Sequence, residues 1–403
     1  MAGRLRRNRA KRQSRAADRV PALPKPMSLA LLLLGLAALF GAVWTTSGLT
    51  LTLATCIGAL AGFALYHAAF GFTAHWRNFL TAGRGGGLRM QLVLIGLVSL
   101  ISFPLIAWGE SIGVSARGSV APVSIGVLAG AFTFGFGMMF AGGCGSGTLF
   151  TVGGGSLRMV VTLSAFIAGS VFATLHVPWW RALPSGPRIG LVEEVGALGA
   201  LVILFVILGA IAFLSAKREK ALYGDLEPPR ETGTLLMGPW SLLAGAFALA
   251  VVSIATLALL GRPWGITSAF TLWGAKIGTA AGLDIASWPF WQTRQGWLER
   301  SVLADPTSVM NFGIIGGAML AANLAGRFAP TLRLSWNDVG TAILGGLLMG
   351  YGARIAYGCN IGGYLGGMIS GSLHGLVWML AALAGSALAL KIRTGRGFLM
   401  HKA

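Results

Sequence analysis

The 403-residue sequence has few charged side chains, few acidic ones and only three cysteines. Charged residues make up 11% of the chain, whereas soluble globular domains contain roughly a quarter. A chain that is 55% hydrophobic, with a mean hydropathy of +0.74, is stable only where most of its surface faces lipid. This composition excludes an ordinary soluble enzyme.

The scarcity of cysteine and of acidic residues excludes further classes. Cys56, Cys144 and Cys359 form no CxxC pair or Cys/His ligand spacing, so we expect no metal site, no thioredoxin-like motif and no cofactor. Cys56 lies in an ordinary apolar run and is expected to serve packing. The glycine-rich stretch 83–89 lacks the Lys-Ser/Thr ending of a P-loop. The chain has 12 acidic residues in all, and they are nearly absent from the apolar segments, with Asp284 as the main candidate, whereas a cation pump needs intramembrane carboxylates.

Long apolar runs are what the chain does have. About 20 mostly apolar residues cross a bilayer as a helix, and runs such as 198–214 are continuously apolar, unlike the alternating strands of a membrane barrel. We predict an all-α integral membrane protein with about 9–11 transmembrane helices. The candidate segments are residues 28–45, 50–74, 89–108, 121–141, 158–177, 191–214, 238–260, 264–285, 309–326, 338–358 and 374–391.

The net charge of +19 is concentrated outside these segments. Residues 1–26 hold nine basic side chains and no aromatic one, which predicts a basic cytoplasmic tail near anionic lipid rather than nucleic-acid binding. The polar stretch 215–237 predicts a cytoplasmic linker between two membrane units, 27–214 and 238–391, with a basic C-terminal tail, 392–403. The positive-inside rule places the N terminus in the cytoplasm.

The two membrane units share an internal repeat. Residues 130–147 match 345–362 at seven of 18 positions, and residues 155–170 match 371–386 at eight of 16. Transporters are commonly built from such repeats, with the substrate site between them near the bilayer midplane. We expect opposite orientations for the repeats, because the basic C terminus returns to the cytoplasm if one segment after the linker does not fully cross.

Each repeat contains a cysteine in a glycine-rich stretch, residues 141–156 (the first motif) and 356–372 (the second motif). This glycine density disfavours a continuous helix and favours a re-entrant loop that lines a cavity, where backbone N–H groups receive an anion. A neutral S–H donates weakly to a soft sulfur anion without trapping it. The glycines ahead of the motifs, among them Gly130, Gly137, Gly345 and Gly352, are expected to allow close helix packing. The predicted path residues are Gly143, Cys144, Gly145, Ser146, Gly147, Gly358, Cys359, Asn360, Gly362 and Gly363.

Several charged and aromatic residues outside the two motifs also have predicted roles. Arg354 precedes the second cysteine inside a predicted segment and would add positive potential for an anion. Arg158 and His374 are equivalent in the repeat, and each either faces the substrate or extends to the interface. Lys276 and Asp284 are expected to pair, since they lie about two helical turns apart. Tryptophans near segment ends are expected to form an interfacial belt; they are Trp179, Trp180, Trp240, Trp264, Trp288, Trp291 and Trp297.

The stretches 70–92, 137–156 and 352–375 resemble the YeeE/YedE sulfur-transport family, which includes thiosulfate permeases. The resemblance implies an hourglass-shaped helical membrane protein whose central cysteines, here Cys144 and Cys359, relay thiosulfate by S–H hydrogen bonds. Some members carry a further cysteine early in the first half, and residues 70–79 contain none. Family members also associate with small TusA-like sulfur-carrier proteins, so the resemblance implies such a partner.

We therefore predict a permease of the bacterial inner membrane for a small sulfur-containing anion, with thiosulfate as the first choice, and not an enzyme. Two alternatives stay open. One is a membrane thiol-redox enzyme that uses the two cysteines as an exchanging pair, which is less favoured unless the two motifs touch. The other is a channel for another anion or for a selenium compound.

Overall fold

The computed structural model describes residues 26–394 except 329, 331 and 332. Most of the two predicted tails, residues 1–25 and 395–403, lies outside the described residues. The described chain is helical apart from one short strand pair. Its helices are α1 (Pro26–Ala68), α2 (Phe72–Ala82), α3 (Gly86–Trp108), α4 (Ile125–Ala141), α5 (Gly145–Gly153), α6 (Leu157–Ala182), α7 (Leu191–Tyr223), α8 (Leu242–Leu260), α9 (Thr267–Ala280), α10 (Pro289–Gln292), α11 (Gln295–Glu299), α12 (Pro306–Leu324), α13 (Trp336–Ile355), α14 (Gly366–Met368) and α15 (Leu373–Thr394).

Nine helical stretches of the described chain are long and apolar enough to cross a membrane, which agrees with the predicted all-α membrane class and helix number. Short helical turns connect some of these elements. They are the 3-10 turns Gly109–Ile112, Ile285–Ser287 and Val302–Ala304, and the π-turn Asn360–Leu365 that follows the second cysteine.

α1 folds back on itself at Gly48. Its 43 residues would extend about 65 Å if straight, twice the hydrocarbon thickness of a bilayer. Gly48 has φ 73° and ψ −165°, a conformation that glycine adopts without a steric penalty. Both halves pack on α12. The first half runs antiparallel to α12, and the second half runs parallel to it. Ser28 bonds to Asn323 and Ser47 to the Leu303 carbonyl, whereas Gly58 adjoins Met310 and Gly62 adjoins Ile314.

The bundle has two ends. The linker end carries residues 83–85, 154–156 and 224–241. The hairpin end carries β1 (Pro122–Ser124) and β2 (Ser185–Arg188), which pair antiparallel with Pro122 opposite Arg188. Because β1 leads directly into α4 and β2 directly follows α6, α4 runs towards the linker end and α6 runs away from it.

α4 and α13 pack through glycine, backbone against backbone. A methyl group on Gly130 would lie 2.7 Å from the Gly352 carbonyl oxygen, and one on Gly137 would lie 2.9 Å from the Gly345 carbonyl oxygen. The pairing of Gly130 with Gly352 and of Gly137 with Gly345 makes the helices antiparallel, so α13 runs towards the hairpin end. These glycines serve close packing, as their positions ahead of the motifs predict.

The predicted segment 264–285 forms only a partial crossing. α9 has 14 residues, about 21 Å of helix, and it is not among the nine long apolar stretches. Before it, the Gly261 carbonyl accepts a hydrogen bond from Arg117 N in the hairpin-end loop. After it, the Phe290 ring lies 5.2 Å from the guanidinium of Arg354 at the hairpin end of α13. The chain therefore enters and leaves α9 at the same end.

The expected pairing of Lys276 with Asp284 is wrong. Lys276 Nζ donates to the Leu298 carbonyl at 2.8 Å, because the turns after α9 fold back over it. Asp284 instead accepts a hydrogen bond from Ser287 N and caps the 3-10 turn Ile285–Ser287.

Glu219, near the end of α7, attaches the linker to the first unit. Its buried carboxylate accepts from Gly85 N at 3.0 Å and from Glu227 N at 2.8 Å. It also forms ion pairs with Arg89 at 2.8 Å and Arg84 at 3.2 Å. These four interactions hold the start of α3, the end of α7 and the start of the linker together.

Candidate functional site

The two cysteines have nearly the same local conformation. Cys144 has φ −91° and ψ −168°, and Cys359 has φ −89° and ψ −165°. Each begins a short helical stretch, α5 after Cys144 and the π-turn after Cys359. Cys144 Sγ accepts a hydrogen bond from Gly147 N at 3.4 Å and contacts Ser146 Oγ at 3.4 Å. Both thiols are free and fully buried.

The two motifs meet inside the bundle. Cys144 follows the linker end of α4, and Cys359 follows the hairpin end of α13, so the cysteines are reached from opposite ends. A methyl group on Gly145 would lie 2.9 Å from Cys359 Sγ and 3.7 Å from Ile266 Cγ2. The first turn of α5, with the backbone N–H groups that a helix start presents, therefore lies directly against the second cysteine.

Glycine is required where the second motif turns inward. Gly358 has φ 149°, and a methyl group there would lie 2.6 Å from Gly363 N. Gly362 differs, because its nearest neighbours would be 3.9 Å away. In the first motif, a methyl group on Gly143 would lie 3.4 Å from Thr148 N, and one on Gly147 would lie 3.4 Å from Cys144 Sγ.

Buried polar atoms without a hydrogen-bond partner gather around the second motif. Both amide atoms of Asn360, the hydroxyl of Tyr364 and the indole nitrogen of Trp378 are in this state. Buried polar groups are normally paired, and an unpaired one costs about 1–3 kcal/mol. A methyl group on Gly363 would lie 2.6 Å from Trp378 Nε1, and the Trp378 ring stacks on Tyr364 at 6.4 Å. Four buried donors and acceptors without a partner therefore lie in or against the second motif.

Two residues outside the motifs, which were not predicted from the sequence, lie in the same neighbourhood. Asn311 of α12 donates to the Ile266 carbonyl at 2.9 Å and keeps an unpaired Oδ1. Trp264 is 1% exposed with an unpaired indole nitrogen. The interfacial-belt prediction is therefore wrong for Trp264, and also for Trp291, which is fully buried. An asparagine within an apolar segment is the signal that would have identified Asn311.

His374 and Arg158 occupy equivalent positions but have different surroundings. His374 lies against the second motif, because a methyl group on Gly367 would be 2.9 Å from its Cε1. Its Nδ1 is 2.7 Å from Ser372 Oγ, and its buried Nε2 has no partner. Arg158 donates to the carbonyls of Phe140, at 2.9 Å, and Ala141, and so caps the linker end of α4.

Arg354 lies in a cavity at the hairpin end. The cavity has a volume of about 520 Å³ and is also lined by Arg181, Arg188, Arg294 and Tyr357. Tyr357 precedes Cys359 by two residues and has φ 63°, a strained conformation for a non-glycine residue. Arg354 therefore faces a space that borders the start of the second motif.

Comparison with known proteins identifies the family of this chain. The sequence profile described as "Sulphur transport" matches residues 67–388, which cover both motifs and their supporting helices. The chain belongs to this family. With nine long apolar stretches in its described residues, it is a multi-pass membrane protein of this sulfur-transport family, as predicted from the sequence.

Individual relatives span the chain to different extents. It is 29% identical to the thiosulfate transporter TsuA of Spirochaeta thermophila over 326 residues, which are 77% of this chain and 89% of that protein. It is 26% identical to TsuA of Escherichia coli K12 over 321 residues, 76% of this chain and 84% of that protein. The match to the probable transporter YedE of Escherichia coli K12 is 29% identical over 147 residues and spans 36% of either chain.

Proposed function

We propose that this protein is a thiosulfate permease in which Cys144 and Cys359 form the narrowest part of the path. The contact of Gly145 with Cys359 is the observation that carries the proposal, because it joins two motifs that the chain supplies from opposite ends of the bundle. The two relatives named thiosulfate transporters support the choice of substrate.

The chemistry of the residues at this contact suits a soft divalent anion. The thiols offer S–H donors, and the first turn of α5 offers backbone N–H groups near its positive end. Asn360 and Trp378 add buried N–H donors without partners. A lysine or arginine at this depth would hold the anion strongly, whereas neutral donors release it. We propose that thiosulfate passes from one thiol to the other by exchanging S–H hydrogen bonds, with no covalent intermediate.

The two motifs then act as re-entrant loops of an inverted repeat, one entering from each face of the membrane. Orientation follows from charge: Arg77, Arg84 and Arg89 lie near the linker end with Lys217 and Arg218, so the positive-inside rule places the linker end, and with it the N terminus, in the cytoplasm. The membrane is then the bacterial inner membrane. A TusA-like sulfur carrier would receive the substrate at the linker end.

Uptake of radiolabelled thiosulfate tests the proposal directly. Cells that lack their own thiosulfate and sulfate importers would express the wild type, Cys144→Ala, Cys359→Ala or Cys56→Ala at matched membrane levels. We expect uptake to be lost in the first two variants and kept in the third, because Cys56 lies exposed on the outer surface of the bundle.

The same assay separates the competing outcomes. No uptake by the wild type would remove thiosulfate as the substrate. Uptake that is indifferent to Cys144→Ala and Cys359→Ala would contradict the relay while leaving a permease. If uptake requires a disulfide that forms and breaks between the two cysteines, this result would instead support the thiol-redox alternative.

A further inference from the structure

We propose that the turn formed by residues 234–238, at the end of the linker, inserts its apolar side chains into the lipid–water interface of the membrane. Leu235, Leu236 and Met237 are these side chains, and we call them the linker tip. The proposal concerns how the linker meets the bilayer, and it rests neither on the choice of substrate nor on the cysteines.

The linker tip is exposed and apolar in an otherwise polar connection. Leu235 is 73% exposed, Leu236 60% and Met237 42%, whereas residues 227–232 are all polar or proline. A single exposed leucine is ordinary on a protein surface. Three consecutive large apolar side chains indicate a surface that contacts a membrane or another protein.

Hydrogen bonds hold the linker tip in one conformation. Gly238 N donates to the Thr234 carbonyl at 2.8 Å, and Met237 N donates to Thr234 Oγ1 at 3.2 Å. The indole nitrogen of Trp240 donates to the Leu235 carbonyl at 2.9 Å. Backbone groups that are already paired cost less to move out of water, so the turn can present its apolar side chains to lipid.

The turn is attached where one membrane helix ends and another begins. Trp240 N donates to the carbonyl of His67, near the end of α1, at 2.9 Å. The Trp240 ring lies 5.6 Å from the ring of His67 and 5.7 Å from that of Phe63. Ser241 then caps α8 by accepting a hydrogen bond from Ala244 N. Trp240 thus has the position of an interfacial tryptophan.

The length of α8 sets the depth of the linker tip. α8 has 19 residues, which extend about 28 Å. The hydrocarbon core of a bilayer is roughly 30 Å thick, so the start of α8 lies at its boundary. The linker tip precedes α8 by only a few residues and therefore lies at the level of the lipid headgroups, where apolar side chains reach the acyl chains.

The surface of α8 favours lipid over a soluble protein as the partner of the linker tip. Leu243, Phe247 and Val251 are exposed, and their spacing of four residues places them on one face of the helix. In a membrane-spanning helix such a face contacts lipid. The linker tip leads directly into this helix, so the lipid-facing surface of α8 continues into the turn.

Fluorescence quenching in phosphatidylcholine nanodiscs tests the depth of the linker tip in the full-length protein. Leu235→Cys and, separately, Leu236→Cys would carry a bimane fluorophore in a Cys56→Ala background. Cys56 must be replaced because it is exposed, whereas Cys144 and Cys359 are fully buried. The Cys56→Ala protein without an added cysteine measures any labelling of the buried thiols.

Two further positions serve as matched controls. Glu231→Cys is the control in water, since Glu231 is exposed in the polar part of the linker, and Leu243→Cys is the control in lipid. We expect phosphatidylcholine brominated near the headgroup to remove most of the fluorescence of Leu235→Cys, Leu236→Cys and Leu243→Cys and little of that of Glu231→Cys. Iodide in the water should do the reverse.

The outcomes decide between lipid, water and protein. Iodide quenching of Leu235→Cys and Leu236→Cys as strong as that of Glu231→Cys would place the linker tip in water and overturn the proposal. Iodide quenching that an added TusA-like carrier suppresses would assign the tip to a protein partner and overturn the assignment to lipid. Quenching by the brominated lipid would support it even if the wild type took up no thiosulfate, so the two proposals fail separately.

Discussion

Substitution of Gly145 by alanine would test the contact between the two motifs most directly. The new methyl group would lie 2.9 Å from Cys359 Sγ and 3.4 Å from Cys359 Cβ, whereas nonbonded carbon atoms settle at about 3.5–4.0 Å. Cys359 must therefore move by roughly half an ångström or more. Overpacking of this kind costs about 1–3 kcal/mol, and it acts at the narrowest part of the proposed path.

We expect Gly145→Ala to lower thiosulfate uptake about tenfold, since each 1.4 kcal/mol corresponds to a factor of ten, and to lower the unfolding temperature of the purified protein. Gly209→Ala is the matched control, because a methyl group on this helical glycine would meet nothing within 4 Å. Adding Cys359→Ala to Gly145→Ala removes the sulfur that clashes. The double variant should recover part of the lost stability without recovering uptake.

Such non-additivity is the signature of a direct contact. If Gly145→Ala took up thiosulfate like the wild type and unfolded at the same temperature, the two motifs would not touch in the working protein. If Cys359→Ala failed to restore stability to the double variant, the cost of Gly145→Ala would have another origin.

Two further predictions concern buried polar groups. Asn360→Ala should reduce thiosulfate uptake without lowering the unfolding temperature, because the amide makes no hydrogen bond within the protein; a fall in stability matching the fall in uptake would instead show a structural role. Glu219→Gln should lower the unfolding temperature, since it leaves the half-buried Arg84 and Arg89 without their buried counter-charge, and it should speed cleavage of the linker by trypsin. The exposed Glu231→Gln should leave both unchanged.

The sequence predicts the membrane class, the helix number and the residues of both motifs, because these depend on local composition and on an internal sequence repeat. It even indicates that one segment after the linker falls short of a crossing, although not which one. α9 is that segment because its chain turns back over Lys276, a tertiary contact with Leu298 that helical spacing cannot reveal.

The surroundings of the cysteines are less visible in the sequence. Asn311 and Trp264 lie far from both motifs in the chain. Asn311 reaches them through Ile266, which adjoins Gly145, and the Trp264 carbonyl lies against Gly366. Arg354 is identified from its position in an apolar segment. The other arginines of its cavity come from three different elements, the last turn of α6 (Arg181), β2 (Arg188) and the connection after α9 (Arg294), and no periodic pattern brings them together. Packing between elements decides which side chains line a cavity, and a single sequence does not specify that packing.

The glycine contacts between α4 and α13 bear on how the transporter moves. Where backbones touch, as at Gly130 with Gly352 and Gly137 with Gly345, no side chain spans the gap between the helices. Even a small slide of one helix along the other would therefore break these contacts. The same holds for α1 and α12, where Gly317 adjoins Ala59. These long helices form a fixed frame, which opposes large rocking of the two halves. On the proposed path, opening and closing would then depend on the short segments at the cysteines, so substrate flux would depend on local fluctuations.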